Sequence, residues 1–132
     1  MSDTSLSKPE KVTNRDDANR LLAQTFTKLN QMCLFYIKED LSLISGETIK
    51  SDRQFLEKLD ETFSQIRQHL SPNALISLTT LTNRLVDPVD KIIPNFYVAF
   101  NYAAPSNRDH NYFKHMQDAR KHWRKIKIIL KS

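Results

Sequence analysis

The sequence predicts an all-α fold: an antiparallel four-helix bundle with a short fifth helix at about 95–104, before the last long helix. Three observations lead there. Apolar residues recur at spacings of three and four in four separate stretches, which gathers them on one face of a helix. The strict apolar/polar alternation of a half-buried strand is absent. The chain of 132 residues holds a single glycine, where average usage would supply about nine. Tight β-hairpins need residues at positive φ, so a glycine-poor chain is ill suited to a meander of strands.

Residues 1–12 are polar, include Pro9 and lack periodicity. They read as a disordered tail ahead of a single domain at 13–132. The first helix starts at Thr13-Asn14-Arg15-Asp16, a threonine with an acid three residues on, as in a capping box. Leu22, Phe26, Leu29, Cys33 and Tyr36 form its apolar seam. Gly46 is expected just past its C-terminus, where positive φ is needed. Ser51-Asp52-Arg53-Gln54 predicts the next cap, followed by a seam of Leu56, Leu59, Phe63, Ile66 and Leu70.

Ser71 then caps and Pro72 suits the first helical position. The third seam is Ala74, Leu78, Leu81 and Leu85, and Asp87-Pro88 is expected to end or kink that helix. Phe96, Phe100 and Ala103 lie at i, i+4 and i+7, which predicts the short helix after Pro94. Ser106-Asn107-Arg108-Asp109 is expected to cap the last helix. Its seam is Tyr112, Met116, Ala119, Trp123, Ile126 and Leu130.

Composition excludes several functions. Phosphate-cradling loops, dinucleotide-binding turns and nucleophile elbows all need glycines at fixed spacings. With Cys33 as the one cysteine, no internal disulfide, CxxC pair or structural zinc finger forms. The longest apolar run is Met32 to Ile37, far short of the roughly 18 residues that cross a bilayer. No signal-peptide pattern opens the sequence. The expectation is a soluble, intracellular protein, cytoplasmic or nuclear, without cofactor or metal.

The net charge of +5 is unevenly placed. Residues 108–132 carry eight Lys/Arg against two Asp/Glu, and residues 1–107 carry 12 against 13. At 100° per residue from Tyr112, the last seam falls within about 40° of zero. Lys114, Arg120, Lys121, Arg124, Lys125, Lys127 and Lys131 fall between roughly 60° and 220°. Ile128 sits among them at about 160°, exposed if Tyr112 faces the core. Such a face suits an acidic protein partner, in which cations steer and the apolar residue holds. It also suits nucleic acid through phosphate contacts without base readout, or a membrane surface or calmodulin-type groove. A plain solvated face at a helix C-terminus accounts for the same charges. The periodicity serves a homodimer equally well.

Nucleic-acid binding in single-stranded mode calls for exposed rings. Trp123 belongs to the seam, which leaves Phe113 as the exposed candidate on this helix. Tyr97 and Tyr102 are candidates for an interface on the Pro-bounded segment. His115, Asp118 and His122 share one flank, where an Asp118/His122 local pair is a more ordinary reading than metal ligation. Cys33, on an apolar seam, reads as a small hydrophobe.

The segment Arg108-Asp109-His110-Asn111-Tyr112-Phe113-Lys114-His115 resembles the arginine, four to six residues, histidine signature of HEPN-domain ribonucleases. The resemblance spans eight residues. It implies a helical fold in which Arg108 stabilises phosphate charge and His115 acts as general acid or base. The other reading is a surface arginine and a histidine beside the seam. The expectation carried forward is a non-enzymatic adaptor, a subunit of a larger complex that docks through its basic C-terminal helix.

Overall fold

Asn14 opens the first helix. Its side-chain oxygen accepts from the Asp17 amide at 2.8 Å, and the Asp17 carboxylate accepts from the Thr13 amide and hydroxyl at 3.3 and 2.7 Å. The cap thus forms one residue later than the Thr13/Asp16 pairing predicts, and the Asp17 carboxylate reaches past Asn14 to Thr13. Asn14 caps as readily as threonine and leaves Thr13 to donate from outside. The computed structural model describes residues 12–38, 44–102 and 110–131, with side chains at 12–38, 44–94 and 114–131. The helices are α1 (Arg15–Lys38), α2 (Gly46–Glu57), α3 (Leu59–Arg67), α4 (Pro72–Tyr102) and α5 (His110–Lys131). The fold is an all-α helical bundle, with no strand among the described residues. The expected disordered segment lies almost wholly outside them, as do Ser106 to Asp109.

Two boundaries differ from expectation for one reason. Gly46 does not follow α1 at positive φ; it is the first residue of α2 and its φ is not positive. Ser45 caps it, accepting from the Thr48 amide at 3.1 Å. Ser51 lies inside α2 and caps nothing. Starting the helix at Gly46 brings Ile49 onto the seam one heptad before Leu56, and both are buried. Ser45 and Ser51 both fit the cap pattern, and burial of Ile49 favours Ser45.

Lys58 separates α2 from α3. Its backbone sits at φ −98°, ψ 3°, and its amide bonds back to the carbonyls of Gln54 and Phe55. One helix was expected here, and the apolar seam does run on across the break through Leu56, Leu59, Phe63 and Ile66, all buried. Ser71 then caps α4 as expected, accepting from the Ala74 amide at 3.4 Å.

The largest correction concerns Pro88 and Pro94. Neither ends a helix: α4 runs 31 residues through both. Of the two expectations for Asp87-Pro88, an end or a kink, the end does not occur, and the helix expected at 95–104 is, through Tyr102, part of α4. Leu78, Thr82, Leu85, Val89 and Ile92 continue one seam at spacings of 4, 3, 4 and 3, and all are buried. An interior proline costs a helix about 3 kcal/mol. Burying Val89 and Ile92 returns a comparable amount, about 1.5–3 kcal/mol for each side chain.

All five helices contribute to one buried cluster. α5 packs along α4 and α1, α1 also meets α3, and α2 meets α4. Trp123, Ile126, Leu29 and Cys33 lie at its centre, each fully buried. Among the described residues no helix is long and apolar enough to cross a membrane.

Candidate functional site: the outer face of the last helix

Helix α5 is built with two opposed faces. Met116, Ala119, Trp123, Ile126 and Ile129 point inward and are buried. Lys114, Lys121, Arg124, Lys125, Ile128 and Lys131 are exposed on the other side. Arg120 and Lys127 lie half-buried where the two faces meet. Ile128 is 65% exposed. Arg124, Lys125 and Lys131 stand at i−4, i−3 and i+3 from it, the positions that neighbour a residue on a helix surface.

This face continues onto α4, which the sequence reading missed. A shallow groove of about 390 Å³ runs between the helices, lined by Arg84, Asp87, Pro88, Lys125, Ile128 and Ile129. Arg84 therefore adds a cation to the array and Asp87 tempers it. No pattern within α5 could identify Arg84, because its place follows from α4 continuing through Pro88.

His122 lies at the inner margin. Burial holds its imidazole below the ordinary histidine value, and Lys125 and Lys121 push the same way. Asp87 and Asp118 oppose them. His115 is half-buried, whereas Arg108 lies outside the described residues, so the ribonuclease-like pair has no described geometry. Among the described residues no group of three or more His, Cys, Asp or Glu is placed to hold a metal ion.

Two of the described aromatic side chains stack inside the core. Trp123 is fully buried, stacked on Tyr36 with centroids 5.3 Å apart. The side chains of Phe113, Tyr97 and Tyr102 lie outside the described residues. Among the described residues the exposed ring is Phe35 on α1, set edge-on to Tyr36 at 5.2 Å and next to exposed Leu34. Cys33 is buried beside Lys127, and burial pushes its thiol up to about 12 despite that cation. It stays a neutral thiol at neutral pH.

The chain matches no family model, and no curated protein or solved structure is significantly similar to it.

Proposed function

We propose that the chain is a non-enzymatic interaction protein that docks through the outer face of α5 onto an acidic protein surface. One observation carries this reading. Ile128 stands 65% exposed within a ring of Arg124, Lys125 and Lys131, over a groove to which α4 adds Arg84. An apolar residue ringed by cations is the layout of a small interface: the centre sheds water and the rim sets partner and orientation.

The test is co-purification with Ile128→Ser and with Lys121→Glu/Lys125→Glu. Docking on protein predicts a stoichiometric partner that both variants lose. Binding to phosphates predicts retention on polynucleotide that collapses as salt rises. There the charge variant fails and Ile128→Ser behaves as wild type, and that pattern would replace the protein-docking reading.

A further inference from the structure

A second groove lies on the other flank of α4, between it and the α2–α3 pair. It encloses about 260 Å³. Phe63, Val86 and Ile93 contribute apolar walls, and Glu57, Asp60 and Asp90 stand at its rim. No cation is among the lining residues. Arg53 reaches Glu57 at 3.7 Å. Asp60 and Asp90 have no cation within ion-pair distance among the described residues. Val86 is 51% exposed, beside the buried Thr82, Leu85 and Val89. Pro94 has no amide to offer the carbonyl of Asp90 four residues earlier, so the same rim residue loses a main-chain donor as well.

This groove is the chemical converse of the α5 face. One is an apolar knob, Ile128, ringed by three cations; the other is an apolar groove ringed by three carboxylates. Within one chain they cannot meet, because α5 packs on one flank of α4 and the groove opens on the other. Resting on the reading that α5 docks on an acidic protein surface, we propose that this surface is the α2–α3/α4 groove of a second copy of the chain. The contact is head-to-tail: each copy offers one knob and one groove, so association continues into a ring or an open filament. Its rim charges are solvent-exposed, which makes it weak and salt-sensitive.

The experiment is light scattering on the full chain, with two sets of exposed-site variants whose helical circular dichroism matches wild type. Wild type at low salt rises above 15.4 kDa as concentration increases, and falls back toward it at about 0.15 M salt and above. The groove variant Asp60→Lys/Asp90→Lys and the face variant Lys121→Ser/Lys125→Ser/Ile128→Ser each lose at least about tenfold in self-affinity. Mixed together they form a 1:1 pair and stop, because each brings one intact surface. A wild type that stays monomeric at low salt overturns the proposal, as does a groove variant that self-associates undiminished or a mixture that forms no pair. A monomeric wild type that still brings down another protein through Ile128 leaves the docking reading standing and removes only the second copy.

Discussion

The ring of Tyr36 lies over the Trp123 indole, with centroids 5.3 Å apart and planes 15° from parallel. The same tyrosine donates its hydroxyl to the Asp52 carboxylate, which Lys28 also approaches at 3.7 Å. One side chain on α1 therefore ties α5 to α2. The two attachments differ in kind and in strength. Trp123→Ala removes the largest fully buried side chain and is expected to cost about 3–5 kcal/mol. Tyr36→Phe keeps the stack and deletes the hydrogen bond to a charged group, at about 1.5 kcal/mol. Urea unfolding followed by circular dichroism checks both, and a larger loss in Tyr36→Phe than in Trp123→Ala would show that the hydroxyl, not the stack, dominates the junction.

Gly46→Ala is expected to stabilise the protein. Gly46 occupies the first position of α2, is exposed and does not use positive φ. Alanine fits there and reduces the freedom of the unfolded chain, worth about 0.4–1 kcal/mol. A glycine in a left-handed C-terminal cap would give the opposite sign. The urea midpoint therefore separates the two placements directly.

His122 sets a pH dependence. Its pKa in the folded protein is lowered from 6.5 by burial, with Lys125 and Lys121 adding to the effect. The unfolded chain thus binds the proton more readily. The contribution is fully present above about 6.5 and is lost as pH falls through the folded value. Stability measured between pH 7.5 and 5 should decline, by an amount smaller in His122→Gln. An identical slope in that variant would assign the decline to another group.

Cys33 should be unreactive in the native state. Its thiol is buried and raised to about 12, and only the thiolate attacks a disulfide reagent. Labelling with an aromatic disulfide at neutral pH is expected to track unfolding across a urea series. Full labelling in native buffer within minutes would contradict the packing of α1 on α5.

Ile128→Ser should leave the unfolding midpoint nearly unchanged, within about 0.5 kcal/mol, as for other exposed sites. A larger loss would mean that Ile128 packs within its own chain.

Much of the fold was legible in the spacing of apolar residues, because helical burial imposes that spacing. Leu29, Cys33 and Tyr36, or Trp123 and Ile126, fall on the core side as the period requires. The angular count also placed Ile128 away from the seam. Boundaries were less legible where two local signals competed. Ser45 and Ser51 are both good caps, and only the burial of Ile49 distinguishes them. Pro88 is a stop signal by local chemistry, overridden by Val89 and Ile92 packing beyond it. The Lys58 break has no glycine or proline to announce it. Arg84 and the acidic groove were invisible for a further reason: they join residues from different helices, and one chain position carries no record of its neighbour across the fold.

Trp123 has a practical consequence. It is the chain's one tryptophan, sealed from water on the inner side of the helix whose outer side bears the cations. Its emission in the native state should be blue-shifted and shielded from aqueous quenchers. Whatever settles on the cations presses on α5 from without, and any tilt or slide of that helix disturbs the indole against Tyr36. The protein carries its own optical gauge, one helix thickness behind the surface it reports on.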